Sequence, residues 1–118
     1  MTVSPANEHL VLDNVGRVLV FNDEGDVTRQ WWMPEYSVGK PEGVCVLKDG
    51  RIAVADTHYH RVVFFDPEGE VTGMFGQHGS EPGDFVYPVK ITQDPDENIY
   101  VCEYGQNDRV HLAMGLPC

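Results

Sequence analysis

Short apolar runs separated by turn residues dominate the pattern of this chain. Residues 44–47 and 51–55 are joined by Lys-Asp-Gly, and residues 62–65 and 71–75 are joined by Asp-Pro-Glu-Gly. The glycine in each connection accepts the positive φ that tight hairpin turns need. Several runs are continuously apolar, which is typical of strands buried on both faces. The pattern predicts one complete unit of four antiparallel strands over residues 41–76.

The same pattern recurs along the chain with a period of about 45 residues. Residues 17–21 (Arg-Val-Leu-Val-Phe) match residues 61–65 (Arg-Val-Val-Phe-Phe), and each run leads into an acidic turn that contains glycine. Three strands are predicted in each flanking unit, at 10–13, 17–21 and 27–32 before the complete unit and at 88–93, 98–102 and 109–113 after it. Four short strands per unit at this period are typical of β-propeller blades.

The fold predicted from this repeat is an all-β chain of four-stranded antiparallel propeller blades, with no helix. Residues 1–118 are expected to form one partial β-propeller. Within it, residues 10–33 form a partial blade, residues 41–76 a complete blade and residues 88–113 a second partial blade. Such an arc is incomplete or open, since propellers close with about four to eight blades.

Residues 41–66 resemble a complete NHL repeat. The elements that carry the resemblance are Pro-Glu-Gly-Val at 41–44, Asp-Gly-Arg-Ile at 49–52, Val-Ala-Asp-Thr at 54–57, His-Arg-Val at 60–62 and Phe-Asp at 65–66. Residues 75–88 resemble the blade-to-blade connection of that family, and the likeness extends over residues 10–112. The resemblance implies an NHL-type propeller, of which this chain would supply about two and a half blades. The first connection departs from the family pattern, because it carries Trp31, Trp32 and Tyr36 in place of glycines.

An open arc leaves apolar blade faces and strand edges uncovered, which favours association. We therefore expect the remaining propeller blades, or other copies of the chain, as partners. The favoured interpretation is a fragment of a longer protein, and self-assembly into a ring is the alternative.

An acidic residue recurs before an arginine once in each unit. The pairs are Asp13 with Arg17, Asp56 with Arg61, and Glu103 with Arg109. Because they repeat with the blades, we interpret them as structural pairs that brace the loop between the second and third strands, with the guanidinium forked onto the carboxylate. No catalytic residue is predicted.

The loops at the two ends of the strands differ in composition. The first-to-second and third-to-fourth turns are rich in Asp and Glu, which favours solubility. The loops at the other end carry aromatic, imidazole and amide groups, which binding surfaces prefer. The predicted ligand-binding residues are Tyr36, His58, Tyr59, His78, Tyr104 and Gln106. The predicted function is a non-catalytic recognition or scaffold module that binds a protein, peptide or small ligand on this face.

A metal-dependent propeller enzyme, of the lyase or lactone hydrolase type, is the alternative function. His58 and His60 are two residues apart, a spacing that can chelate zinc, and His78 could join them. The peptidyl-amidating lyases resemble NHL propellers and use histidine-bound metal. However, His60 occupies the NHL signature position before arginine, and neither neighbouring unit repeats the pair. No cofactor or metal is therefore expected, and His58 and His78 remain only weak candidates.

The charge of the chain narrows the choice of partners. The 118 residues contain 8 Lys plus Arg against 19 Asp plus Glu, a formal charge of −11. This balance disfavours nucleic acid and anionic membranes, which bind cationic surfaces. RNA recognition, known for some NHL propellers, is therefore the third-ranked function. The sequence shows neither a signal peptide nor an apolar run long enough to span a membrane, and it does not indicate a compartment.

Overall fold

The computed structural model describes residues 2–3, 7–37, 39–79, 84–103 and 110–112. These residues form antiparallel strands and a single turn of 3-10 helix at Thr57–Tyr59. The strands are β1 (Thr2–Val3), β2 (His9–Leu12), β3 (Arg17–Phe21), β4 (Val27–Trp32), β5 (Gly43–Val46), β6 (Ile52–Asp56), β7 (Arg61–Phe65), β8 (Val71–Phe75), β9 (Pro88–Gln93), β10 (Ile99–Glu103) and β11 (Val110–Leu112).

The strands form three sheets, one for each predicted unit. Blade 1 has the order β1-β2-β3-β4, blade 2 has the order β5-β6-β7-β8, and blade 3 is a three-stranded sheet of β9, β10 and β11. Every neighbouring pair is antiparallel. The all-β fold of propeller blades in an open arc is thus confirmed.

Blade 1 corrects one expectation, because it contains four strands rather than three. Thr2 pairs with Leu10 and Val3 pairs with His9, which adds β1 to the edge of β2. A strand of two residues is too short to show a period of two, so the hydrophobic pattern could not reveal it. The 3-10 turn at Thr57–Tyr59 was missed for the same reason.

The third-to-fourth turns of blades 1 and 2 have the same internal structure. The Oδ1 atom of Asn22 accepts hydrogen bonds from the backbone N–H of Glu24 and Asp26. Asp66 Oδ1 accepts the equivalent bonds from Glu68 and Glu70. A shift of register follows in each hairpin, at Val20/Phe21 and at Phe64/Phe65. The conserved geometry explains why residues of the same type recur in both turns.

In the part of the chain that the structure describes, two apolar clusters form the core, and each one fills a junction between blades. Blade 1 packs on blade 2 through Leu10, Val18, Val20, Met33, Val44, Ile52, Val54, Val63 and Phe65. Blade 2 packs on blade 3 through Cys45, Leu47, Ala53, Ala55, Val62, Phe64, Phe85, Ile91, Ile99 and Val101. Alternate residues of β6 and β7 therefore pack into opposite junctions. Both faces of these strands are buried, which is why their sequences are unbroken apolar runs.

The innermost strands of blades 2 and 3 approach each other closely at Gly43. A Cβ atom at this position would lie 2.6 Å from the backbone oxygen of Val89 and 3.0 Å from the Cα of Lys90. Any residue larger than glycine would therefore push β5 away from β9. In the described residues, no helix is long and apolar enough to cross a membrane.

Candidate ligand-binding loop face

Antiparallel pairing places the loops between the second and third strands at the same end of the molecule as the connections between blades. We call this end the loop face. It consists of the described residues of the β2–β3 loop (13–16), the β4–β5 connection (33–37 and 39–42), the β6–β7 loop (57–60) and the β8–β9 connection (76–79 and 84–87). The opposite end, the turn face, carries the acidic hairpin turns.

The first acidic–arginine pair closes the β2–β3 loop of blade 1. Arg17 Nε donates to Asp13 Oδ2 at 2.6 Å, and Asp13 Oδ1 accepts the backbone N–H groups of Val15 and Arg17. Desolvation raises the pKa of Asp13, but these hydrogen bonds outweigh it and leave the pKa below its ordinary value. Asp13 therefore holds the loop as an ionised carboxylate.

The second pair is more deeply buried. Arg61 Nε donates to Asp56 Oδ2 at 2.8 Å, and the side chain of Asp56 is only 2% exposed. Burial raises the pKa of Asp56 above its ordinary value, although the hydrogen bond from Arg61 works in the opposite direction. Arg61 also donates to Glu35 Oε1 at 2.8 Å, which ties the β6–β7 loop to the β4–β5 connection.

The third predicted pair falls partly outside the described residues. Glu103 is buried, and its Oε1 accepts the backbone N–H of Val86 at 2.6 Å, so it anchors the β8–β9 connection. Arg109 lies outside the described residues, as do the predicted ligand-binding residues Tyr104 and Gln106.

Exposed aromatic rings cover the loop face at blade 1. The rings of Trp32 and Tyr36 are 4.7 Å apart, and the two residues are 50% and 52% exposed. The guanidinium of Arg17 lies over the Trp32 ring at 5.6 Å. Tyr36 also packs on Gly16, where a Cβ atom would lie 2.5 Å from the Cβ of Tyr36. These contacts hold both rings in place while leaving about half of each residue open to solvent.

Tyr59 joins the β6–β7 loop to the connection that carries Tyr36. Its hydroxyl oxygen lies 3.2 Å from the backbone nitrogen of Ser37, which donates to it, and 3.2 Å from Ser37 Oγ. The guanidinium of Arg61 lies over the Tyr59 ring at 5.0 Å. Tyr59 is therefore half-buried and fixed by polar contacts at its edge and a cation on its face.

His58 connects the same loop to both neighbouring connections. Its imidazole packs on Gly39, where a Cβ atom would overlap with the ring. On its other side, the centroid of the His58 ring is 5.7 Å from that of Tyr87 in an edge-to-face arrangement. Gly39 has φ +69°, so the backbone at this position also favours glycine.

His60 forms the centre of a cluster with His78 and Tyr87. Its ring centroid lies 4.5 Å from that of His78 and 4.6 Å from that of Tyr87. The backbone N–H of Tyr87 donates to His60 Nδ1 at 3.1 Å, a bond that requires an unprotonated nitrogen. Desolvation, together with the nearby His78 and His58, lowers the pKa of His60 below its ordinary value.

The arrangement of the histidines bears on the metal alternative. His78 and His60 form an edge-to-face ring pair, with their centroids 4.5 Å apart and their planes at 63°. Among the residues that the structure describes, no group of three or more His, Cys, Asp or Glu side chains is placed to hold a metal ion.

The structure thus places four predicted ligand-binding residues on one surface, but in two groups. Tyr36 and Tyr59 lie at the blade 1 side, and His58 and His78 lie around Tyr87 at the blade 3 side. The β6–β7 loop contacts both groups. The sequence analysis considered His60 only for the metal alternative and did not count it among the ligand-binding residues; its left-handed backbone (φ 54°) places its ring inside the cluster. The sequence feature that could have identified His60 is its alignment with Gly16, since both residues lie one position before the repeated arginine.

A comparison with protein families identifies the repeat. Residues 39–65 match the model of the NHL repeat. This segment contains β5, β6, the 3-10 turn and β7, and it therefore includes the half of the loop face that carries His58, Tyr59 and His60.

Two curated proteins are similar to part of the chain. The protein brain tumor of Drosophila melanogaster is 38% identical over 52 residues, which are 44% of this chain and 5% of that protein. The RING finger protein nhl-1 of Caenorhabditis elegans is 40% identical over 43 residues, which are 36% of this chain and 4% of that protein. The chain therefore spans only a small part of the length of these relatives.

Solved propeller structures match almost the whole chain. A catalytically inactive virginiamycin B lyase from Staphylococcus aureus, solved with quinupristin, superposes with a TM-score of 0.72 at 18% identity and covers 92% of this chain. A streptogramin B lyase also gives a TM-score of 0.72, at 19% identity. The chain spans 35% and 34% of those two structures. At this identity the likeness concerns the fold alone. The chain therefore contains an NHL repeat at residues 39–65, is similar over part of its length to NHL-repeat proteins, and folds as β-propeller blades.

Proposed function

We propose that this propeller module is a recognition module, and that its loop face binds a protein, peptide or small ligand without converting it chemically. The observation that carries the proposal is that three successive loops bring aromatic and imidazole rings to one face, in two groups that the β6–β7 loop joins. Trp32 and Tyr36 begin this surface, Tyr59 and His58 continue it, and the cluster of His60, His78 and Tyr87 ends it.

The physical state of these rings suits binding. Trp32, Tyr36 and Tyr87 are each 40% or more exposed, yet each is held by contacts with neighbouring loops. A ring that is already fixed loses little conformational freedom when a ligand covers it, which favours affinity. Tyrosine and tryptophan also combine a large apolar area with a polar edge.

The charge of the molecule supports neutral or cationic ligands over anionic ones. The chain carries a formal charge of −11, and the loop face adds the partly exposed Glu35 beside its aromatic rings. Cations are attracted both by the net charge and by the faces of aromatic rings. A peptide with basic and apolar side chains is therefore the ligand class with the best complementarity.

A displayed library of random peptides, panned against the full chain, tests the proposal. We expect enriched peptides whose binding falls at least tenfold in the variants Trp32→Ala and Tyr36→Ala. Val71→Ala and Met74→Ala are matched controls, because these side chains are 46% and 49% exposed on β8, outside the loop face. Binding in the controls should stay within twofold of the parent chain.

Two results would contradict the proposal. One is that no peptide is enriched above the level found with an unrelated acidic protein. The other is that Val71→Ala weakens binding as much as Tyr36→Ala does. Metal analysis addresses the enzyme alternative separately. Stoichiometric zinc that is lost in His58→Ala, together with turnover, would replace the recognition role with a metal-dependent one.

A further inference from the structure

The two arginines that brace the loop face belong to networks of different charge. In blade 1, Arg17 donates to the carboxylate of Asp13 and, at 3.4 Å, to the neutral amide of Gln30. In blade 2, Arg61 donates to two carboxylates, those of Asp56 and Glu35, each at 2.8 Å. One guanidinium thus faces two carboxylates in blade 2, which leaves one negative charge uncompensated within this network.

The uncompensated charge is carried by Glu35, at the surface. The side chains of Asp56 and Arg61 are 2% and 13% exposed, whereas the side chain of Glu35 is 55% exposed. Burial raises the pKa of Asp56, and the negative charge of Glu35 contributes to this rise. A second cation on the solvent side of Glu35 would therefore offset the repulsion between the two carboxylates.

Arg61 engages only one oxygen of Glu35. Its Nη1 atom donates to Glu35 Oε1, whereas in the pair of Arg29 and Glu8 two guanidinium nitrogens contact both carboxylate oxygens, at 2.9 and 3.2 Å. Lys40 is the nearest cation to Glu35 along the chain, and it forms no ion pair among the residues that the structure describes. Glu35 Oε2 is therefore open to a cation from a ligand.

An exposed aromatic pair follows this carboxylate in the same connection. Tyr36 comes directly after Glu35, is 52% exposed and stacks with Trp32. Arg17 already lies over the ring of Trp32, but in the described part of the chain no cation lies over the ring of Tyr36. A guanidinium suits such a place, because it is planar and weakly hydrated and can stack on a ring while it pairs with a carboxylate.

We propose that the loop face anchors an arginine side chain of a peptide or protein ligand, with the guanidinium paired to Glu35 and stacked on Tyr36. This inference rests on the recognition role proposed above and names the chemical group that the ligand must present. Lysine fits less well, because its ammonium group is compact, strongly hydrated and unable to stack. The anchor belongs to the junction of blades 1 and 2, since the network of Arg17 contains a neutral amide in place of the second carboxylate.

Three capped dipeptides test the anchor on the full chain: acetyl-Leu-Arg-amide, acetyl-Leu-Lys-amide and acetyl-Leu-citrulline-amide. Citrulline has the shape of arginine but carries a neutral urea in place of the guanidinium. We expect the arginine peptide to shift the NMR signals of the Trp32 indole N–H and the Tyr36 amide in a saturable manner, with a Kd on the order of 1 mM. The citrulline peptide should bind roughly fivefold more weakly, and the lysine peptide should lie between the two.

Two matched variants locate the interaction. Glu35→Gln removes the exposed charge while Arg61 keeps its buried partner Asp56, so the variant should fold and should bind the arginine and citrulline peptides equally. Glu24→Gln makes the same change in net charge at an exposed position of the turn face. It should keep the fivefold preference, which separates a local contact from the attraction of the whole chain for cations.

Equal binding of the arginine and citrulline peptides to the parent chain would overturn the anchor but not the recognition role, because both peptides would still bind the loop face. A preference that survives in Glu35→Gln, or that disappears in Glu24→Gln, would overturn the part assigned to Glu35. Lysine binding as tight as that of arginine would overturn the stacking on Tyr36. If no dipeptide causes a saturable shift, the anchor is refuted, and the peptide library still decides the recognition role. If Glu35→Gln does not fold, the three peptides on the parent chain decide the question.

Discussion

Blades 1 and 2 have the same strand order and matching turns, yet their interiors differ. In β6 every residue is buried, whereas in the equivalent β2 only Leu10 is. The reason is that blade 2 lies between two neighbours, while blade 1 has a described neighbour on one side only. Val11, Leu19 and Phe21 of blade 1 are half-buried, but their equivalents Val54, Val63 and Phe65 are fully buried.

The comparison shows that strand pattern and burial have different origins. The strands and turns follow from local sequence, because both blades contain the same turn residues and the same alternation. Burial follows from whatever lies against the blade. The energetic role of a residue in one blade therefore cannot be transferred to its equivalent in the other, even where the local geometry is the same.

The largest expected difference concerns the last residue of the third strand. Phe65 is 0% exposed and packs against Trp31, with ring centroids 5.6 Å apart. Phe65→Ala should lower the free energy of unfolding by about 4 kcal/mol, because it removes a buried ring and leaves a cavity. Phe21→Ala in blade 1 should cost only about 1–2 kcal/mol. Urea unfolding followed by tryptophan fluorescence measures both, and equal losses would contradict the comparison.

The paired carboxylates provide the next test. Asp56→Ala removes the partner of the half-buried Arg61 and should cost about 3 kcal/mol, since the guanidinium loses a buried counter-ion. Asp13→Ala breaks an ion pair whose arginine side chain is 37% exposed, so its main effect is the loss of backbone hydrogen bonds, about 1 kcal/mol. Chemical denaturation of the two variants should show this order, and the reverse order would refute the interpretation.

The glycines of the third-to-fourth turns separate backbone strain from packing. Gly25 and Gly69 have φ of +85° and +94°, so alanine is strained at either position. Gly25→Ala should cost about 1 kcal/mol, because a Cβ atom there meets nothing within 4 Å. Gly69→Ala should cost about 2–3 kcal/mol, because its Cβ would press on the ring of Trp31. Thermal unfolding of both variants tests whether the clash with Trp31 makes Gly69→Ala more destabilising than Gly25→Ala.

The smallest effect concerns pH. The position before the repeated arginine is Gly16 in blade 1 and His60 in blade 2. Because the pKa of His60 is lower in the folded chain than its ordinary value of 6.5, the unfolded state binds more protons near that pH. The contribution of His60 to stability is therefore complete above about pH 7 and is lost as the pH falls through 6.5 towards its folded pKa.

The variant His60→Asn isolates this contribution. Asparagine tolerates the left-handed backbone and can accept the hydrogen bond from Tyr87, but it does not titrate. Urea unfolding at several pH values between about 5 and 8 should give a shallower dependence of stability on pH than in the parent chain, by a fraction of 1 kcal/mol. An unchanged dependence would show that His60 is not the group responsible.

The strands were predictable because each carries its own local signal. The predicted strand at 17–21 matches β3, and those at 27–32, 71–75 and 88–93 match β4, β8 and β9. The glycines in the turns and the repeated arginine showed how one unit aligns with the next. In contrast, β1 has two residues, and its formation depends entirely on the edge of β2 that it joins.

The candidate site was only partly predictable, because its contacts cross between units. The predicted strand order indicated that His58, Tyr59 and Tyr36 share one face, because the strands that a loop joins determine the end at which it lies. It could not show that His78 contacts His60, or that Tyr87 closes the cluster. Such contacts depend on the path of the β8–β9 connection, in which a parallel bridge joins His78 to Phe85. No local pattern encodes that path.

The missing side chain at Gly43 has a consequence for the curvature of the whole arc. The blades are wedges that must come closest at their inner strands, and β5 meets the backbone of β9 at the distance that a hydrogen atom allows. A methyl group at this position would open the inner edge, and the angle between blades 2 and 3 would decrease. The size of the residue at position 43 therefore sets how closely the inner strands of blades 2 and 3 can approach each other.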